Sequence, residues 1–324
     1  MKLGKAHVVS ITVLLACTAF LVLVGQSDTY VDLPPLIPGL GRLSFMKAPI
    51  HKNTQARSLP SSWPEQLKVK SPAHVVTANV GGTGVVRLVL QMDNYPAQRA
   101  NSCSGHAVGQ VLRYAMWRRK CATRAQCLKY NPQRPCPYFI WFLMRCQGAM
   151  VISGPTCYIN TGPTDFDRGL GKVKEFGFIN EGEWKGIESH PEPWTQTPAS
   201  TLFKKSKKHN RNFITQRLYV NEFWKILEAG NAILIGITVG SEYLKTDWKH
   251  IGGMYVPVIR PLTGNVIGGH ALVVVGAIRY NGQTYFQIQN SWGKDWVTGF
   301  MEYNDLVTRT GGPIWACGFV VCYT

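Results

Sequence analysis

With 324 residues and an ordinary share of apolar and aromatic side chains, the chain can bury a sizeable core, and it carries no disorder signature. Its 35 Lys+Arg against 18 Asp+Glu give a formal net charge of +17, which favours an anionic partner: nucleic acid, an anionic membrane face or a cell-wall polymer. No zinc-finger spacing, RNA-binding signature or basic-region heptad accompanies the charge, so there is no specific nucleic-acid motif.

Lys2 and Lys5 precede an apolar run from Val8 to Val24. That length is at the short edge for a membrane span and the long edge for a signal-peptide core. Gly25-Gln26-Ser27 offers small residues where a signal peptidase reads. Residues 1–27 therefore read as a signal peptide or as a single N-terminal membrane anchor. Either sends the rest of the chain out of the cytoplasm, because the positive charge precedes the apolar run. The expected location is exported (periplasmic, extracellular or lumenal) or membrane-anchored.

Residues 28–89 begin rich in Pro, Gly and Ser and read as a linker or short propeptide segment. Near its end, Val75 to Gln91 reads as two short strands around a Gly-Gly-Thr-Gly turn. Val108, Val111, Leu112, Ala115 and Met116 have helical spacing. Tyr138 to Met144 reads as a buried helix. Asp165 to Phe176 and Asn221 to Ala229 read as amphipathic helices stopped by Gly177 and Gly230. The basic stretch Lys204 to Arg211 is a solvated segment or a contact for an anionic surface or polymer. From Ala232 onward the pattern turns to strands: "AILIGITV", "HALVVVGAIRY", "TYFQIQNSW", "GFMEYN" and "CGFVVCY". The chain is helical first and β-rich second, an α+β arrangement.

There are nine cysteines, and five of them fall between Cys121 and Cys157. In an exported chain this cluster reads as disulfides. It does not read as zinc, because no C-x-x-C pair is present. The spacing leaves the pairing open. If one cysteine outside Cys17 is kept for chemistry, at least one more is unpaired.

Three separated residues can form one reactive site. Cys103 falls where the helix in "NSCSGHAVGQVL" should start, and a helix N-terminus favours a thiolate. The flanking Ser102 and Ser104 are small, so the sulfur is expected to be accessible. A thiolate needs a base, and the base needs an orienter. His270, near the head of one strand, and Asn290, at the end of the next, supply these if the strands are neighbours. The oxyanion that forms on attack needs donors. The Cys103 N–H is one, and the Gln98 amide is the other.

Gln98…Cys103, Gly269-His270-Ala271 and Asn290-Ser291-Trp292-Gly293 resemble the papain-like cysteine peptidases (peptidase family C1). The small residue after Cys103 resembles their bacterial-type branch. The resemblance covers roughly residues 90–324. It implies a two-lobed papain-like fold. A helical lobe would span about 95–200 and a β-barrel-like lobe about 201–324, with the active-site cleft between them. It also implies substrate binding by Gly162, Gly269, Trp292 and Cys322, with Trp292 shielding the His–Asn pair. His106 is implied to be a packing residue. No metal or cofactor is implied. The "QRANSC" loop is one residue shorter than the family's and lacks its glycines, and the family's long helical propeptide is absent.

The expected function is a thiol-dependent peptidase cleaving protein or peptide substrates through an acyl-enzyme. One alternative is a papain-fold envelope or particle protein with a binding role and little activity. Another is an acyltransferase or amidase using the same triad. The membrane is a partner if the N-terminal segment stays uncleaved.

Overall fold

The computed structural model describes residues 75–80, 83–88, 98, 102–120, 126, 133–147, 150–151, 154–155, 158–159, 165–184, 197–209, 212–251, 254–292, 298–311 and 318–323. The N-terminal segment, Gly162, Arg211 and Cys121, Cys127, Cys157 and Cys317 lie outside these residues. Among them no helix is long and apolar enough to cross a membrane.

The elements, in chain order, begin with a hairpin of β1 (Val75–Val80) and β2 (Thr83–Leu88). Four helices follow: α1 (Cys103–Lys120), α2 (Pro137–Arg145), α3 (Phe166–Phe176) and α4 (Ser200–Ser206). Then come β3 (Phe213–Leu218), α5 (Phe223–Glu228), β4 (Ile233–Gly240), β5 (Thr246–Ile251) and β6 (Met254–Ile259). Last are β7 (Val266–Tyr280), β8 (Gln283–Gln289), β9 (Thr298–Glu302), α6 (Tyr303–Arg309) and β10 (Gly318–Tyr323).

These ten strands make one sheet in the order β3-β10-β4-β7-β8-β9-β6-β5, with β2 also paired to β7 and β1 to β2, and two short two-stranded ladders lie apart from it within residues 146–159. The fold class is α+β, as expected. The barrel-like closure is not: β3 and β5 end the sheet and do not pair with each other, so among the described residues the sheet is open. The β1–β2 hairpin, inside the segment expected to be a linker or propeptide, adds to this sheet through pairs such as Ala277 with Val86.

β7 is the hub. Its first half pairs with β4, and its second half pairs with β8 on one side and β2 on the other. Successive side chains of a strand face opposite ways. Ala271, Val273 and Val275 accordingly join the core under α1 and α2, while Leu272 and Val274 join the core under α5 and α6. β4 does the same, with Leu234 on the helical side and Ile233, Ile235 and Ile237 on the other. Burial on both faces explains why these strands read as continuous apolar runs rather than alternating ones. At roughly 1.5–3 kcal/mol for each fully buried large apolar side chain, the two layers hold most of the fold's driving force.

Local chemistry sets the joints. Asn281 (φ 48°) and Gly282 (φ 75°) both take positive φ, the two-residue turn that matches strand twist, and so fix the β7–β8 register. Gly105 lets α2 cross α1 closely: a Cβ there would lie 2.1 Å from the Pro137 carbonyl oxygen and 2.7 Å from Trp141 Cβ. Every residue of α2 is buried. Cys146 is disulfide-bonded, whereas Cys103 and Cys136 are free thiols, so a second cysteine is indeed unpaired.

Candidate active site

The β7–β8 hairpin brings His270 and Asn290 together. Val273 pairs with Gln289, which leaves Asn290 just past the strand end and level with the residues beside His270. His270 Nε2 and Asn290 Oδ1 are 2.8 Å apart. The Ser291 backbone N–H also donates to Asn290 Oδ1 at 2.8 Å. An atom that accepts a backbone N–H is the carbonyl oxygen of the amide, so the His270 nitrogen facing it carries the proton. The other ring nitrogen, Nδ1, is then the acceptor.

Trp292 stacks on the His270 ring, with centroids 4.6 Å apart and planes 27° apart. Its indole covers one face of the imidazole. Tyr243 meets both rings edge-on, at 6.0 Å from His270 and 5.5 Å from Trp292. Sequence reasoning missed Tyr243, which lies in a short turn with no periodic signal. Behind it, Arg309 lies 5.5 Å over the Tyr243 ring and pairs with Asp305 at 2.8 Å. The Arg309 side chain is fully buried, and it also donates to the carbonyls of Thr238 and Arg260, which ties α6 to the sheet beneath the site.

Cys103 is the first residue of α1, and its thiol is held by backbone hydrogen bonds from Ala271, Ser104 and its own amide. Ala271 is the residue after His270, so the start of α1 lies against β7 one residue from His270. The expected accessibility does not hold: Cys103 is 6% exposed and His270 5%. The reason is that α1 packs its first turn directly against β7. Burial pushes the Cys103 thiol up to about 11, against the lowering by those hydrogen bonds. Burial likewise pulls His270 down to about 4, although the Asn290 bond works the other way and His106 adds to the lowering. Burial thus favours the uncharged form of each group.

Gln98 is drawn to the same corner. Its backbone N–H donates to the Ser291 carbonyl at 2.9 Å, and its side-chain Oε1 accepts from Ser291 Oγ at 2.6 Å. With Oε1 turned to Ser291, Nε2 is the donor end of the amide. Gly269 is buried in β7 opposite Thr238, one residue before His270. Cys322 lies on the β10 backbone opposite Ile214 of β3. Gly162 is outside the described residues.

His106 is buried between its neighbours: Nδ1 lies 2.9 Å from the Ser102 carbonyl, and the ring meets Tyr138 edge-on at 5.4 Å. Among the described residues no group of three or more His, Cys, Asp or Glu is arranged to hold a metal ion. Chemically, the assembly offers a thiol at a helix start, an imidazole with its tautomer fixed, and an amide donor nearby.

No family model and no curated protein matches the chain. Among solved structures, it is similar to a procathepsin B S9 from Trypanosoma congolense, at 14% identity and a TM-score of 0.46, covering 86% of this chain and 87% of that one. It is also similar to a digestive procathepsin L 3 of the Tenebrio molitor larval midgut, at 12% identity and a TM-score of 0.42, covering 79% of this chain and 76% of that one.

Proposed function

We propose that this protein is a thiol-dependent, papain-like cysteine peptidase in which Cys103, His270 and Asn290 form the triad. The observation that carries the reading is the buried His270–Asn290 hydrogen bond, with Trp292 stacked on the imidazole, which leaves Nδ1 as the ring's proton acceptor. In this mechanism His270 Nδ1 takes the Cys103 proton as the sulfur attacks a peptide carbonyl. The Cys103 N–H and Gln98 Nε2 hold the oxyanion. The imidazolium then gives its proton to the leaving amine, and water, activated by the same nitrogen, releases the acyl group. Asn290 keeps the tautomer throughout. Substrate contacts fall to Gly162, Gly269, Trp292 and Cys322, in a cleft between a helical and a β-rich lobe, and the small Ser104 after Cys103 favours the bacterial-type branch. The apolar run from Val8 to Val24 and the Cys146 disulfide support an exported or membrane-anchored protein.

The Cys103 sulfur is covered in the described state, so this reading requires that it be uncovered before attack. The same burial favours a second reading, a papain-fold protein that binds an anionic surface through Lys204–Arg211 and cleaves little. Cleavage of an unstructured protein separates the two. The peptidase reading predicts cleavage that is abolished in Cys103→Ala. Undiminished cleavage by that variant overturns it, and no cleavage by wild type, with salt-sensitive retention on an anionic polymer, supports the binding reading. If wild type is active, an added amine acceptor that diverts the product identifies an acyltransferase.

A further inference from the structure

A cavity of about 20 Å3 lies between α1 and the β7–β8 pair, lined in part by His106, Ala107, Gln110, Gln289, Asn290 and Ser291. Two of these residues carry buried polar atoms of opposite kind with no hydrogen-bond partner among the described residues: the acceptor Gln110 Oε1 and the donor Asn290 Nδ2. Both residues are more than nine-tenths buried. The other end of each amide is committed. Gln110 Nε2 donates to Gln289 Oε1 at 3.2 Å, an oxygen that also accepts from Tyr114 OH at 3.1 Å. Asn290 Oδ1 already serves His270 and Ser291. Leaving a buried donor and a buried acceptor both unsatisfied is costly, and the cavity has room for one water.

We infer that one bound water joins Asn290 to Gln110, accepting from Asn290 Nδ2 and donating to Gln110 Oε1, and that Gln110 is thereby a positioning residue for the triad. The inference rests on the reading of His270 as the base for Cys103. The Asn290 amide has two orientations. In the observed one, Oδ1 faces His270 and accepts from Nε2–H, which keeps the ring proton on Nε2. Turned over, it would present Nδ2–H to Nε2, move the ring proton to Nδ1 and remove the nitrogen that receives the Cys103 proton. Ser291 holds the Oδ1 end, and the water, backed by Gln110, Gln289 and Tyr114, holds the Nδ2 end.

Two measurements on the full chain test this. A crystal structure of the wild-type protein should place a water about 2.7–3.2 Å from both Gln110 Oε1 and Asn290 Nδ2. A dry cavity, or a water touching only one of them, overturns the inference. Gln110→Met keeps the length of the side chain and removes its polar atoms. It should lower kcat roughly ten- to a hundredfold with KM unchanged, and the His270 15N shifts should move from the Nε2–H form toward a mixture of tautomers. A folded Gln110→Met with wild-type kcat and wild-type His270 shifts overturns it. If that variant does not fold, the wild-type water decides. If wild type cleaves nothing and Cys103 takes no probe, the peptidase reading falls, while the water and the His270 tautomer still decide whether Gln110 holds Asn290.

Discussion

Cys103 stands at the positive end of α1, and that position alone would favour a thiolate. Burial acts in the opposite direction and is the larger effect, as it is for His270 and His106, both pulled down to about 4. These two imidazoles link the site to stability. A histidine whose folded value lies below its ordinary 6.5 resists protonation, so its contribution is complete above about pH 6.5 and is lost as pH falls toward 4. Thermal unfolding across that window should show Tm falling, by an amount worth roughly a few kcal/mol for the two sites together. A flat Tm between pH 7 and 4 would mean that the histidines are already exposed or charged. His270 and Asn290 stood out in the sequence as polar residues beside apolar strand runs; Asn290 follows the end of β8, whereas His270 lies inside β7, which begins four residues earlier at Val266. Tyr243 and the Arg309–Asp305 pair did not, because their value comes from contacts across the fold that no local spacing records. The covering of Cys103 was invisible for the same reason.

At the level of elements, the helices and strands with strong periodicity or long apolar runs were readable, and those set by pairing alone were not. α2 and α3 emerged from the sequence with nearly their observed bounds, and Gly177 ends α3 with φ 76°. The β5–β6 hairpin and α4 went unread. β5 exposes Trp248, Lys249 and His250 in succession, so it lacks the alternation that marks a half-buried strand. α4 carries a short, strongly basic run with few apolar positions. The crossing of α1 and α2 is the joint on which the position of Cys103 depends, because it sits two residues further along α1. Gly105→Ala should therefore destabilise the protein by roughly 1–3 kcal/mol or prevent folding, since the added methyl would meet a backbone oxygen that cannot step aside. A chemical-denaturation midpoint equal to wild type would contradict that packing.

For the whole molecule, the sequence pattern of helices followed by strands gave the α+β class, but sheet closure depends on which edges meet, and here β3 and β5 remain apart. The +17 charge is a property of the surface and says nothing of the site, where burial works against the charged forms of Cys103 and His270. Cys136 offers an internal comparison, because burial pushes its thiol up to about 11 as well, yet it lacks a histidine held by an asparagine. The central proposal, that Cys103 is the nucleophile served by His270, is tested most directly by treating the protein with an epoxide thiol trap and mapping the modified peptide. The account predicts modification at Cys103 over Cys136, and loss of that preference in His270→Ala. Equal modification of the two cysteines, or none at Cys103 in a preparation that cleaves protein, would contradict it.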